Sequence, residues 1–245
     1  MDARFVLQLD PVDRIRGLRG GRDPDPGTVA LLAQLAGVHG VSMTVREERR
    51  SHASRELSLL REMVRTHLEL RLAPTADLVS LAFDVRPDRV TLVADRRDGE
   101  GGAGALDVQL LKDALRKQVQ NLRDVDVEIA CLVAADLDQV KAVHKVDADV
   151  VVLQTSAYSA STSAQDRRAE LTRIADAAGL AARLGLKVSV GGGLDLVTVE
   201  EAARLAHVTE FQVGHACIAR GLLVGIERAV RDFLAAIERG RQRPQ

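Results

Sequence analysis

Eight short apolar runs with strand-type residues alternate along this chain with segments of helical periodicity. Such alternation is typical of a parallel sheet covered by helices. A length of 245 residues also admits an open doubly wound sheet or two small domains. Eight repeats without a linker favour closure, and about 250 residues is the usual length of an eight-stranded barrel. We therefore predict an α/β chain with a single (β/α)8 TIM barrel over residues 1–238 and a polar, disordered tail at 239–245. The predicted strands cover residues 5–9, 40–45, 67–72, 89–93, 127–132, 150–154, 187–190 and 211–213.

Aliphatic side chains have to fill this interior, because 46% of the residues are hydrophobic but only 2% are aromatic and tryptophan is absent. The 34 basic and 35 acidic residues nearly cancel, which argues against nucleic acid or a membrane surface as a partner. No leader sequence and no apolar stretch of bilayer length is recognised. Cys131 and Cys217 lie in apolar runs, as reduced core cysteines do. These features predict a cytoplasmic protein.

Two late strands stop at glycine. Lys187–Val190 runs into Gly191–Gly193, and Phe211–Val213 runs into Gly214-His215. Glycine allows a sharp turn and close approach of a ligand to backbone amides, and a helix N-terminus behind such a turn attracts phosphate. Two such turns late in a barrel predict a phosphate site.

The segments between the strands carry further signals. Residues 10–21 are predicted as a charged loop, and Asp25-Pro26 opens a helix. The glycine-rich stretch 98–104 is predicted to be a mobile lid or a disordered loop. Residues 155–165 are predicted as a polar loop and 222–238 as the terminal helix.

The carboxyl ends of the predicted strands, where a barrel places its catalytic side chains, are rich in arginine and poor in acid–base groups. The sequence shows no metal-ligand spacing, no nucleotide-binding lysine loop and no serine nucleophile elbow. This inventory favours anion binding over proton transfer. The arginines are Arg14, Arg16, Arg19, Arg22, Arg46, Arg49, Arg50 and Arg71, and the acid–base candidates are Asp10, Glu47, Glu48, His52, Asp95 and His215.

Four of these residues stand out as candidates for an anion site. Arg19 and Arg46 lie just beyond strand ends beside a glycine or a turn, whereas the pair at 49–50 is typical of a solvated rim. Arg71 interrupts the apolar third strand and must point into the mouth of the barrel or be paired there. His215 either packs against its strand or contacts an anion.

Several short motifs follow one another along the chain in a characteristic order and spacing. They are Leu9-Asp10, Arg16 with Arg19-Gly20, Pro24-Asp25-Pro26, Val45 to Arg50, Gly104 to Val108, Ala157-Tyr158, Gly185 to Val188, Gly193-Leu194, and Gly214-His215-Ala216 with Ile218 and Arg220. Together they resemble the pyridoxine 5′-phosphate synthase family of vitamin B6 synthesis, from Leu7 to about Ala236. The resemblance implies condensation of 3-amino-2-oxopropyl phosphate with 1-deoxy-D-xylulose 5-phosphate, without a metal or cofactor, by an octamer of barrels.

The resemblance also implies which positions bind substrate. Gln8 stands where the family has asparagine in its first-strand motif. The sugar phosphate would be held by Asp10, Arg19 and Arg46, and the second phosphate by backbone amides of Gly193, Gly214 and His215.

The chain departs from this family at the catalytic positions. The histidine of the second strand is Thr44, the general-base glutamate of the third strand is Arg71, and the general-acid histidine of the seventh strand is Gly192. Further departures are Pro11, Ser51 (with His52 adjacent), Gly102 and Val152. Ring closure needs repeated proton transfers, and losing one positioned acid or base costs about 10²–10⁴-fold.

Three functions follow as hypotheses. The first is a barrel that has lost ring closure, retains a phosphate or anion site and acts as a metabolite-binding protein or a homo-oligomeric interaction or regulatory protein with a protein partner. The second is an active synthase that uses His52, His215 and Asp10 in rearranged roles. The third is different chemistry on a phosphorylated substrate, with Tyr158, Glu47 or His215 as the acid–base group.

Overall fold

The computed structural model describes residues 3–45, 50–94 and 103–243, with the backbone alone for residues 50–54. Eight parallel strands form a barrel in chain order, and β1 closes it by pairing with β8. The strands are β1 (Arg4–Gln8), β2 (Gly40–Val45), β3 (His67–Leu72), β4 (Arg89–Leu92), β5 (Glu128–Ala134), β6 (Val150–Gln154), β7 (Lys187–Gly191) and β8 (Glu210–Val213). This confirms the predicted TIM barrel.

Helices cover the outside of the barrel, and several differ from the predicted elements. They are α1 (Asp10–Gly17), α2 (Pro26–Leu35), α3 (Arg50–Met63), α4 (Ala76–Val79), α5 (Leu81–Val85), α6 (Lys112–Arg123), α7 (Leu137–Lys145), α8 (Ser156–Ala160), α9 (Ala164–Arg183), α10 (Leu196–Ala202), α11 (His215–Val224) and α12 (Ile226–Arg241). None of the described helices is long and apolar enough to cross a membrane.

The loop prediction for residues 10–21 is wrong, because α1 occupies Asp10–Gly17. Its proline lies in the first turn and its acidic residues precede its basic ones, an order that suits the helix dipole. The predicted polar loop at 155–165 likewise contains α8. The predicted terminal helix is two helices, since Gly225 adopts φ +84° between α11 and α12. Helix α12 continues to Arg241 and so includes the first residues of the segment predicted as a tail.

Side chains alternate along each strand between the helical layer and the barrel interior. The register pairs Thr44 with Arg71, and Glu69 with Arg89, so these interior positions form stacked layers. Towards β5 and β6 the interior is apolar, and it includes Leu132 and Val152. Towards β3, β4 and β8 the interior is charged and polar.

The charged half of the interior is organised by Arg89, which is 2% exposed. Its Nε donates to Glu128 Oε2 at 2.6 Å, and its Nη1 donates to Glu69 at 3.3 Å and to Glu210. Burial opposes ionisation of Glu210, but Arg89 outweighs it and holds the Glu210 pKa below its ordinary value. For Glu69, burial prevails and raises the pKa, although Arg89 lies close. Arg89 is therefore the cation that makes this set of buried carboxylates tolerable.

Candidate functional site

A cavity of about 590 Å³ lies at the carboxyl ends of the strands, where barrel enzymes have their active sites. Its lining comes from the ends of β1, β3, β5, β6 and β7, from the glycine turns and from helices α1 and α11. Seven residues predicted from the sequence line it: Gln8, Asp10, Arg71, Gly192, Gly193, Gly214 and His215. The fold therefore brings most of the predicted site together.

The turn after β7 needs glycine for conformational and steric reasons. Gly192 and Gly193 adopt φ +116° and +78°, where other residues are strained. A Cβ on Gly192 would lie 3.0 Å from Ser156 Oγ. The Gly192 carbonyl accepts hydrogen bonds from Thr155 Oγ1 at 2.8 Å and from Ser159 Oγ at 3.3 Å, which fixes the turn against α8.

Arg71 is the buried cation of the cavity. Its side chain is 5% exposed, and its recorded ion pair joins Nε to Glu69 Oε1 at 3.8 Å. That distance is too long for a hydrogen bond, and Nε has no hydrogen-bond partner in the described part of the chain. Both oxygens of Glu69 are engaged elsewhere, by Thr91 Oγ1 at 2.8 Å and by Gln212 Nε2 at 3.0 Å. Arg71 thus lines the cavity as a buried cation whose Nε is unbonded.

The end of β1 and the start of α1 supply polar groups to the cavity lining. Asp10 Oδ1 accepts the backbone N–H of Thr44 at 3.0 Å, which ties the start of α1 to β2. Its second oxygen has no recorded partner among the described residues and can accept a ligand hydroxyl. Gln8 Nε2 donates to Gln212 Oε1 at 3.4 Å, and Gln8 Oε1 lies 3.0 Å from where a Gly214 Cβ would be. Gly214 therefore lets β8 end close against β1.

The predicted residues differ in whether they reach the cavity. His215 lines the cavity as the first residue of α11 and is exposed, so the alternative of a packed histidine is wrong. Thr44 reaches the site through its backbone and is not among the lining residues. Arg19 is exposed in the turn after α1 and does not line the cavity. Arg46 and Glu47 fall outside the described residues, as do residues 98–102 of the predicted lid.

Tyr158 is not placed to act as an acid–base group. It is fully buried, and its hydroxyl donates to Glu201 Oε2 at 2.7 Å on α10. Burial, together with the Glu201 carboxylate, raises the pKa of Tyr158. The hypothesis that Tyr158 is the acid–base group of a different chemistry is therefore wrong.

Four further residues line the cavity without being predicted as site residues from the sequence: Gln154, Ser156, Leu18 and Leu222. Gln154 ends a buried strand, and this was a readable signal, because strand ends form the mouth of a barrel. The two leucines could not be placed in the same way. Leu18 falls in the predicted loop 10–21, and Leu222 falls in the predicted terminal helix 222–238, although it belongs to α11.

Asp10 and His215 are the carboxylate and imidazole groups of the described lining. Arg71 and the exposed Arg14 add positive charge. No group of three or more His, Cys, Asp or Glu residues among the described positions could hold a metal ion. The arrangement suits an anion better than it suits multistep proton transfer.

Comparison with known proteins agrees with this architecture. Residues 5–239 match the family model "Pyridoxal phosphate biosynthesis protein PdxJ". A pyridoxine 5′-phosphate synthase of Geotalea daltonii is 39% identical over 236 residues, covering 96% of this chain and 99% of the relative. One from Geobacter metallireducens is 38% identical over the same coverage. A solved structure, "Crystal structure of Amycolatopsis orientalis BexX/CysO complex", covers 99% of this chain and 93% of its own, with a TM-score of 0.61 at 16% identity; this likeness concerns the fold alone.

Proposed function

This chain belongs to the pyridoxal phosphate biosynthesis protein PdxJ family. From that premise we propose that it binds a phosphate-bearing metabolite at the mouth of its barrel and does not catalyse ring closure. The ligand is a phosphorylated small molecule or inorganic phosphate. The protein acts as a metabolite-binding barrel or as an interaction or regulatory protein. A homo-oligomer, a protein partner and a cytoplasmic location stay predictions.

The observation that carries this proposal is the state of Arg71. A guanidinium group that is buried, unbonded at Nε and 3.8 Å from a carboxylate with other partners has an incomplete environment. A phosphate in the cavity would supply the missing acceptors, because its oxygens match the guanidinium fork. The turn at Gly192–Gly193 offers close backbone approach for the same anion.

Loss of ring closure is supported by the residues at the catalytic positions. Threonine at position 44 and glycine at position 192 cannot shuttle protons near neutral pH, and Arg71 is a permanent cation. Glu69, two residues before Arg71, does not replace the missing glutamate. It is fully buried, does not line the cavity, and has its oxygens engaged by protein groups.

Turnover is tested by incubating the pure protein with 3-amino-2-oxopropyl phosphate and 1-deoxy-D-xylulose 5-phosphate and following pyridoxine 5′-phosphate. The Geobacter metallireducens relative serves as the positive control. We expect at least about 10⁴-fold less product, since several acid–base groups are missing together. Product formation within tenfold of the relative would end the proposal.

Binding is tested by calorimetric titration with inorganic phosphate and with 1-deoxy-D-xylulose 5-phosphate. Arg71→Met should weaken binding by about tenfold to a hundredfold, the usual effect of losing a charge-assisted hydrogen bond. The matched control is Arg65→Gln, which removes an exposed cation just before β3, at the opposite end of the barrel. Equal losses in both variants would show a general charge effect and count against a site at Arg71.

The second candidate is an active synthase, favoured by 39% identity to a protein of that name over nearly the whole chain. Asp10 and His215, both in the cavity, would then share the proton transfers with His52. Rescue of a vitamin B6 auxotroph by the wild-type gene, lost in the Asp10→Asn and His215→Gln variants, would establish this function. A well-expressed protein that does not rescue growth would exclude it.

A further inference from the structure

One wall of the cavity is apolar and comes from helices α1 and α11, which pack against each other. Ile15 and Leu18 are three residues apart at the carboxyl end of α1, and Ile218 and Leu222 are four apart on α11. Side chains at these spacings lie on one face of a helix. All four line the same cavity as Arg71, so one continuous space joins an apolar wall to a buried cation.

Exposure increases along this wall towards the solvent. Ile218 is 7% exposed, whereas Leu222 is 74% and Leu18 is 84% exposed. Most polar groups of the lining lie at strand ends or at the first residues of helices, and the exception is Arg14 within α1. Gln8 and Gln154 end β1 and β6, and Asp10, Ser156 and His215 begin α1, α8 and α11. The cavity is therefore polar at the strand ends and helix starts and, apart from Arg14, apolar along α1 and α11 beyond their first turns.

This division does not suit a ligand that is polar along its whole length. Hydroxyl groups placed against Ile15, Leu18 and Leu222 would lose water without gaining hydrogen-bond partners. An aliphatic chain there would remove both its own surface and the two exposed leucines from water.

We infer that the ligand is a phosphate monoester of an aliphatic alcohol, with its phosphate at Arg71 and its hydrocarbon chain along the wall formed by Ile15, Leu18, Ile218 and Leu222. This inference rests on the anion site proposed above and names the class of molecule that fills it. The phosphate carries the charge complementary to the buried guanidinium, and the chain leaves the cavity between α1 and α11.

The test is a calorimetric titration series with inorganic phosphate and with butyl, hexyl and octyl phosphate. Wild-type protein should bind more tightly as the chain grows, by about two- to fourfold for each methylene that becomes buried. In Leu18→Ser/Leu222→Ser, the ratio of the Kd for inorganic phosphate to the Kd for octyl phosphate should fall by about tenfold or more. Both leucines are exposed, so this variant should fold like the wild type.

A matched control is Leu35→Ser/Leu110→Ser, which removes two exposed leucines that do not line the cavity. This control should keep the wild-type ratio. Phosphate binding with affinities that stay within twofold from butyl to octyl phosphate would overturn the inference and leave the anion site standing. Failure of every phosphate compound to bind would overturn both proposals.

Light scattering on the same variants covers the remaining outcome, in which a second copy of the chain occupies the leucine rim. A lower particle mass in Leu18→Ser/Leu222→Ser, together with an undiminished chain-length effect, would assign the leucines to a subunit contact and overturn the inference. An unchanged mass with a lost chain-length effect would support it.

Discussion

Two buried arginines on neighbouring strands should respond in opposite ways to the same substitution. Arg71 and Arg89 are both interior and nearly inaccessible, at 5% and 2% exposure. Arg89 is bonded to three carboxylates, whereas the recorded contact of Arg71 is one pair at 3.8 Å. Replacing each with methionine keeps much of the volume and removes the charge.

For Arg71→Met, two terms nearly cancel. An ion pair at 3.8 Å is worth about 4 kcal/mol at an effective dielectric constant of 20. The burial of a guanidinium without hydrogen bonds costs several kcal/mol, which the variant no longer bears. We expect the free energy of unfolding to change by no more than about 1 kcal/mol or to rise. Arg89→Met removes the cation that Glu69, Glu128 and Glu210 share and should cost about 3–5 kcal/mol, or roughly 6–20 °C in Tm.

The assay is urea unfolding followed by circular dichroism, with differential scanning calorimetry for Tm. A destabilisation of Arg71→Met above about 3 kcal/mol, equal to that of Arg89→Met, would show that Arg71 is a structural cation like Arg89. Arg71 would then stabilise the fold and would not be kept unpaired for a ligand.

Three further changes test local features by the same unfolding measurement. Gly192→Ala should destabilise by about 1–3 kcal/mol because its φ of +116° suits glycine, while Gly21→Ala, with open space and no positive φ, should change little; equal effects would contradict the strained-turn argument. His67 has a pKa lowered to about 4 by burial and neighbouring guanidinium groups. Between pH 6.5 and 4 the unfolded chain therefore binds a proton at His67 that the native state does not bind. As the pH is lowered through this range, the free energy of unfolding of the wild type should fall by at most about 3 kcal/mol relative to that of His67→Gln. Parallel pH profiles of the two proteins would show that His67 is not responsible. Asp25→Ala should cost about 1 kcal/mol, since Asp25 Oδ2 caps α2 by accepting the Thr28 N–H at 2.7 Å; an unchanged midpoint would show that water replaces the cap.

The strands and the barrel could be predicted because each strand is a local apolar run between turns, and eight of them allow few topologies. The sequence of α1, Asp10–Gly17, does not predict a helix by its apolar periodicity, because it is charged and short in apolar residues. Its proline at the start and its ordered charges are helix signals that could have been read. Gly225 separates α11 from α12 by its positive φ. The break could not be predicted, because the apolar residues on both sides of Gly225 continue the helical pattern.

The site was predicted as far as strand ends and glycine turns define it. Gln8, Asp10, Arg71 and the glycines could be placed because barrel topology fixes where strand ends meet. The lack of a hydrogen bond between Arg71 and Glu69 could not be predicted. Glu69 accepts hydrogen bonds from Thr91 and Gln212 instead, and these contacts depend on the register of three strands. The apolar wall could not be predicted from the sequence either, because it depends on the packing of α1 against α11.

The most direct test of an anion site without ring-closing catalysis is a crystal structure with 1-deoxy-D-xylulose 5-phosphate or inorganic phosphate, combined with the turnover assay on the same preparation. We expect a phosphate within hydrogen-bond distance of the Arg71 guanidinium and the Gly193 amide, together with no pyridoxine 5′-phosphate formation. An empty cavity at saturating ligand, or turnover comparable with that of the relatives, would contradict this expectation.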